Sequence, residues 1–432
     1  MTDTRRYVIQ GLGSKTDRVA HALEHMAANR AYRSATGSSQ NLDGFRRRFA
    51  EYRERWRTQP ARLYAEGGDL VPGMAPLCVD LETSAMCDLA CPFCYRQSVA
   101  TPDKIMPMEV ATRAIAQAAE LGVPSMKFNW RGEPLLHPQL PELIARAKDA
   151  GVLDTIINTN AVRLDEAKAR ELIESGLDFV IYSFDGGSKQ SYERMRPGRF
   201  AENSFETVYA NIRRFAELKR QLGSPFPWTK IQMVLTEETF PEQQAFFDLF
   251  SDCVDEVSVK AYTERGGALT DLPKAEREQL TEALEERGLP HDTPYWRDME
   301  GTIHYSVGRL ACEQPCQRLL VSYSGLVGMC CYDWGLCHPV GSLEPGAKEA
   351  ADHDCREVLE AVSQGRPGYA HFGELALPKR NTSGPNVADL GDIWRGAAIS
   401  GVRRLHAMGN VDSVEVCKTC PFKETYNWKR LS

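Results

Sequence analysis

Three cysteines, Cys87, Cys91 and Cys94, share the stretch SAMCDLACPFCYRQ in the spacing C-x3-C-x2-C, with Phe93 just before the last. Thiolates so close together suit a soft metal. Structural zinc takes four ligands and closes its coordination sphere. A cubane [4Fe–4S] cluster also ordinarily takes four cysteines. Three thiolates on one short loop hold three irons of a cubane and leave the fourth open to a small-molecule ligand. A zinc loop is the alternative.

A second set of thiols lies far downstream, in CEQPCQRLLVSYSGLVGMCCYDWGLC and EVCKTCPF. The run LLVSYSGLVGMCC reads as a hairpin, two strands about a Ser-Gly turn, ending in Cys330 and Cys331. Together with Cys312 and the C-x2-C pair Cys417 and Cys420, it can present four thiolates to one centre, a cluster or zinc. Cys316 and Cys337 are rival ligands. Lone histidines are more often structural than catalytic, and His304, His338 and His406 receive no role.

These residues need a scaffold. The chain has 432 residues, 42% hydrophobic, enough for two or three domains with sizeable cores. A net charge of −7 leaves no basic footprint for a nucleic-acid partner. No apolar run is long enough to span a membrane, and the N-terminal stretch has no apolar signal segment. The expectation is a cytoplasmic protein. Thirteen cysteines in a reducing compartment point to metal or redox chemistry rather than disulfides. Cys78, Cys253 and Cys355, which stand apart, read as buried small hydrophobes.

Residues 1–75 read as a charged helical extension, with Phe45, Phe49, Tyr52 and Trp56 at helical spacing, an apolar stripe for packing on the main domain. Over 76–265, short strand-like runs alternate with helical segments: LCVDLE, SMKFNW, DTIINT, FVIYSF, KIQMVL and EVSVKA. Six strand–helix units predict a parallel sheet, an open partial (β/α)6 barrel of TIM type rather than a closed one. Residues 266–432 lose the alternation, hold eight of the thirteen cysteines, and read as a small loop-rich domain organised by a metal centre. The triplet then lies in the loop after the first strand. The ends of the next strands carry FNWRGEP, INTNA and YSFDG, all on the face where barrel sites assemble.

Those motifs in that order resemble the radical S-adenosylmethionine (SAM) superfamily. FNWRGEP is similar to its Gly-Gly-Glu-Pro motif, with Arg131 in place of the first glycine. The resemblance implies a SAM-binding [4Fe–4S] cluster on Cys87, Cys91 and Cys94. It implies SAM contacts from Phe93, Gly132, Glu133, Pro134, Asn158, Asn160, Ser183 and Asp185. One electron from the cluster would cleave the sulfonium, and the 5′-deoxyadenosyl radical would take hydrogen from a substrate. SYERMRPGRF resembles a segment of members with a C-terminal cluster domain; Arg194 and Arg196 there suit a carboxylate or phosphate, or simply cap and pack. The region from Cys312 to Phe422 resembles the SPASM/twitch extension. It implies one auxiliary [4Fe–4S] cluster on Cys312, Cys330, Cys417 and Cys420, with four protein ligands closing it for electron transfer.

The expected reaction is hydrogen abstraction from a hydroxyl- or amino-bearing carbon of a polar small molecule, sugar- or aminocyclitol-like. Oxidation would use the auxiliary cluster as electron acceptor and a flavodoxin or ferredoxin as external donor. The alternatives are epimerisation with Cys331, Cys316 or Cys337 as hydrogen donor, radical modification of a peptide, and a cluster- or zinc-bearing scaffold without turnover.

Overall fold

The computed structural model describes residues 6–7, 40–224, 226–263, 271–381 and 387–431. A two-residue strand β1 (Arg6–Tyr7) and a long helix α1 (Gln40–Ala65) precede the alternating region. That region runs β2 (Cys78–Leu81), α2 (Met108–Glu120), β3 (Ser125–Lys127), α3 (Leu140–Asp149), β4 (Asp154–Thr159), α4 (Glu166–Ser175), β5 (Phe179–Ser183) and α5 (Lys189–Met195). It continues through α6 (Phe205–Gln221), β6 (Trp228–Leu235), α7 (Gln243–Phe250) and β7 (Glu256–Ala261). The helix starts follow from local chemistry. Asp165, Ser188 and Ser204 each accept a backbone N–H of the first turn, filling a donor the helix cannot satisfy itself.

Strands β2 to β7 pair in sequence order, all parallel, and β1 adds in parallel at the β7 edge. The other edge is closed by the downstream region. After α8 (Lys274–Glu285), β8 (Tyr295–Arg297) and β9 (Ile303–Arg309), the strand β10 (Arg318–Val321) pairs in parallel with β2, Arg318 opposite Cys78. Strands β11 (Leu326–Gly328) and β12 (Gly341–Ser342) continue it antiparallel, completing a ten-stranded open sheet. The predicted hairpin is therefore β10–β11, and it extends the barrel sheet across the expected domain boundary. The rest of the downstream region holds the helices α9 (Ala347–Ser363), α10 (Leu390–Arg395) and α11 (Ala397–Ala407). The last strand, β13 (Tyr426–Arg430), forms a three-stranded antiparallel sheet with β9 and β8.

The strands' alternation sorts the sheet's two faces. Val79, Leu81, Met126, Ile157, Val180, Tyr182, Ile231, Met233, Val257 and Val259 enter the core shared with the helices. Their neighbours on the other, concave face are mostly polar: Asp80, Lys127, Asn158, Ser183, Gln232, Ser258 and Lys260. Helix α1 covers the end of this hollow where the strands begin. Its Phe45, Phe49, Tyr52 and Trp56 pack on Leu77, Leu153 and Phe226, which lead into β2, β4 and β6. The apolar stripe is thus a plug at the N-terminal mouth. The part of the expected helical extension over 8–39 lies outside the described residues.

Candidate active site

The open end of the hollow, where the strands finish, carries the cysteine triplet. Cys94 N–H turns back onto Cys91 O, 3.1 Å, and the three thiols gather with Leu89, Phe93, Met195 and Tyr262 in one small cluster. The loop is braced from outside by the Arg-Pro-Gly-Arg segment. Ala90 N–H donates to Pro197 O and Arg199 N–H to Asp88 O, at 2.9 and 2.8 Å. Arg199 also makes a bidentate pair with Asp103, both contacts 2.6 Å. Arg196 is buried against Asp185 and directs one N–H at Cys91 Sγ, 3.9 Å away. Arg194 pairs with Glu238 at the surface. Both arginines suggested for an anionic ligand are thus committed to carboxylates of the chain.

Gly132 sits where only glycine fits. A Cβ there would lie 2.3 Å from Met86 O and 2.4 Å from Ser84 O, inside the cysteine loop's own backbone. Glu133 is next, with both carboxylate oxygens engaged: Oε1 accepts from Thr159 Oγ1 at 2.6 Å and Leu135 N at 3.1 Å, and Oε2 from Asn160 N at 2.8 Å. Burial, reinforced by Asp88, pushes its carboxyl up to about 8, against the pull of those donors. Asn160 ties back to Asp88 through Nδ2, 2.8 Å, and Asp185 accepts from Arg196 and from Val234 N. Glu133, Asn160 and Asp185 therefore lock the strand ends to the cysteine loop, a role their motifs did not reveal because each partner lies on another element. Two of the expected SAM-contact residues keep free capacity. Among the described residues Asn158 Oδ1 is buried without a hydrogen-bond partner, and the half-buried Ser183 carries a hydroxyl that no side-chain hydrogen bond occupies. Among the described residues no fourth cysteine joins the triplet, and with the orphaned amide oxygen of Asn158 it fits a three-cysteine cluster carrying a polar ligand.

Cys312, Cys330, Cys417 and Cys420 all line one cavity, together with Arg309, Gln314, Tyr332, Asp333 and His406. Cys316, Cys331 and Cys337 are not among its lining residues. Cys316 is fully buried against Tyr64 and Arg403. Cys337 follows the Asp333 turn, its N–H bound to Asp333 Oδ1 at 2.7 Å. Cys331 borders the cavity, its thiol 3.8 Å from the lining Gln314 Oε1, a neighbour of Cys330 and Cys420 and near the Arg318 guanidinium at the sheet. Burial pushes the Cys91 and Cys417 thiols up to about 12 and raises Cys312 and Cys330 well above the ordinary thiol value. Such thiols stay protonated unless a cation offsets the desolvation.

Residues passed over in the sequence build this cavity. His406 accepts the Cys312 N–H at Nδ1, 3.1 Å, and burial, aided by Arg309, holds its pKa down near 4, so it stands neutral. Arg309 donates to the carbonyls of both Cys417 and Cys420. From α1, Gln59 donates to Cys316 O at 2.7 Å and Tyr64 to Cys312 O. The second site is joined to the first by Arg131. It makes a bidentate pair with Glu82, 2.6 and 2.8 Å, and donates to Trp334 O at 3.2 Å, while Trp130 Nε1 donates to Cys331 O at 2.9 Å. Elsewhere, His353, Asp354 and Glu357 bring three donor atoms within 4.8 Å, but Lys104 already pairs with both carboxylates.

Residues 81–243 match the family model of the Radical SAM superfamily, so the chain carries a radical SAM domain, the type that uses SAM and a [4Fe–4S] cluster. Among curated proteins it resembles the GTP 3′,8-cyclase of Chlorobaculum tepidum, 34% identical over 29% of this chain and 38% of that protein. It also resembles the PqqA peptide cyclase of Granulibacter bethesdensis, 36% identical over 28% of this chain and 32% of that protein. Each match thus spans about a third of the relative's length. Among solved structures, BtrN in complex with AdoMet and 2-DOIA aligns at 15% identity and TM-score 0.44, covering 82% of this chain and 94% of that one. Streptococcus suis SuiB bound to precursor peptide SuiA aligns at 14% identity and TM-score 0.49, covering 89% and 79%. No described helix is long and apolar enough to cross a membrane.

Proposed function

We propose that the protein is a radical SAM oxidoreductase that removes hydrogen from a hydroxyl- or amino-bearing carbon of a polar small molecule. In this reading an auxiliary [4Fe–4S] cluster takes up the second electron. The observation that carries it is the convergence of Cys312, Cys330, Cys417 and Cys420 on one cavity, from three segments distant in sequence. Four thiols fill a cubane's ligand set, leaving no iron for substrate and favouring electron storage.

SAM bound at the first site supplies a carbon-centred hydrogen acceptor; the residues around it bind and orient. Cys87, Cys91 and Cys94 would hold the cluster, while Glu133, Asn160 and Asp185 keep its loop fixed to three strand ends. Asn158 Oδ1 and Ser183 Oγ offer hydrogen bonds to a polar ligand, and by the resemblance Phe93, Gly132 and Pro134 would contact it too. Lys127, Gln232 and Lys260, on the concave face of their strands, suit a substrate rich in hydroxyl or anionic groups. A flavodoxin or ferredoxin would be the external electron donor, in a cytoplasmic setting.

A second reading is epimerisation, which the placement of Cys331 favours. This half-buried thiol is not among the residues lining the four-cysteine cavity, although it borders Cys330 and Cys420, and it lies near Arg318 of β10. Turnover in deuterated water separates the two. A carbonyl or imine product supports oxidation, whereas an inverted product carrying one deuterium, lost in a Cys331→Ala variant, supports epimerisation.

A further inference from the structure

Between the two thiol sites runs an unbroken line of aromatic rings. Tyr95, the residue after Cys94, stacks on Trp334 with centroids 5.4 Å apart and planes at 9°. Trp334 lies 5.7 Å from Tyr332, and Tyr332 lies 4.9 Å from Phe422. Each end of the line is anchored to a ligand segment. Tyr332 lines the four-thiol cavity and its N–H donates to Cys330 Sγ at 3.3 Å; Phe422 follows Cys420 by two residues. The rings are held in place by neighbours that do not belong to the line. Tyr95 OH donates to Arg131 O at 2.8 Å, and Arg131, fixed by Glu82, donates to Trp334 O.

We infer that Tyr95, Trp334 and Tyr332 form the path by which a single electron passes between the two cluster sites. The inference rests on the proposed auxiliary cluster. Aromatic pairs are also common packing elements. This set differs in beginning beside one ligand loop and ending in the wall of the other site. The electrons balance for oxidation of an alcohol. One hydrogen atom leaves the substrate carbon to cap the 5′-carbon released from SAM. The carbon then loses one electron, and the hydroxyl one proton, giving the ketone. That electron, returned along the rings, replaces the one spent on cleaving the sulfonium. The sum is alcohol plus SAM giving ketone, 5′-deoxyadenosine, methionine and one proton, with no further oxidant.

The test is the rate at which one electron, delivered by flash photoreduction to the reconstituted holoenzyme, redistributes between the clusters, followed by freeze-quench paramagnetic resonance. Trp334→Leu and, separately, Tyr332→Leu should slow it by about an order of magnitude at unchanged iron content, and Trp334→Phe should restore most of it. Tyr332→Leu guards against a Trp334→Leu protein that loses iron by misfolding. Wild-type rates in either leucine variant with a full complement of iron would overturn the inference. A wild type that holds iron for one cluster only would instead overturn the auxiliary-cluster reading on which it stands.

Discussion

Arg131 and Glu82 form a bidentate ion pair that is almost fully buried, at 2% and 0% side-chain exposure. Arg131 occupies the position where the radical SAM motif has its first glycine, and Glu82 follows the last residue of β2. The pair spans the ends of two adjacent strands, and Arg131 then reaches Trp334 O of the downstream region. The residue that departs from the motif is therefore the strut between the two thiol sites.

Removing one partner leaves the other charge buried and unpaired. Arg131→Met should cost about 3–5 kcal/mol in urea unfolding, whereas the double variant Arg131→Met/Glu82→Gln should recover part of that loss. Equal losses in the single and double variants would mean that the pair is not coupled.

Gly132→Ala tests the close approach behind the cysteine triplet. The added methyl must displace the backbone at Ser84 or Met86, and with it the loop that holds Cys87. The expected result is loss of about half the bound iron, with the four-thiol site still loaded. Full iron content would show that the loop tolerates the shift.

Much of this was readable in advance. Strands β4 and β7 fall on the residues the alternation marks, because each packs one face against its own helices, and that period survives in the sequence. The placement of β10 beside β2 is not readable. The partners are 240 residues apart, and the intervening alternation stops, which makes the hairpin look like part of a separate domain. The sheet of β8, β9 and β13 was missed for the same reason: Tyr426 pairs with Arg309 across the C-x2-C segment, in short strands rich in charge. At the site, the cysteines and strand-end motifs are visible as types and spacings. The commitment of Asp185 to Arg196, or of Glu133 to Asn160, depends on which loops meet.

The resemblance implies Cys312 as the ligand, with Cys316 four residues on as its rival, and their surroundings separate them. Cys312 lines the cavity, while Cys316 lies under Tyr64. Cys312→Ala should remove auxiliary iron, and Cys316→Ala should leave the iron content unchanged. The reverse pattern would reassign the ligand.

Lys423 gives a pH signature. Its ammonium nitrogen is buried without a hydrogen-bond partner beside the Trp296 ring, and burial lowers its pKa from 10.5 to about 7, partly opposed by Asp271. Between these values the unfolded chain holds a proton that the folded one lacks, so stability rises with pH from about 7 to 10.5 and is lost as pH falls toward 7. Lys423→Met should flatten this segment of the profile by about 1 kcal/mol per pH unit and stabilise the protein at neutral pH. An unchanged profile would show that the lysine is solvated.

The most direct test of the central claim, an auxiliary cluster beside the SAM site, is the iron, sulfide and zinc content after anaerobic reconstitution. It should be measured for wild type and for a variant with Cys87, Cys91 and Cys94 changed to Ala. Two cubanes predict about eight irons in wild type and about four in the variant. A variant that holds zinc and no iron would contradict the claim, make the second site structural, and leave the oxidation without its electron acceptor.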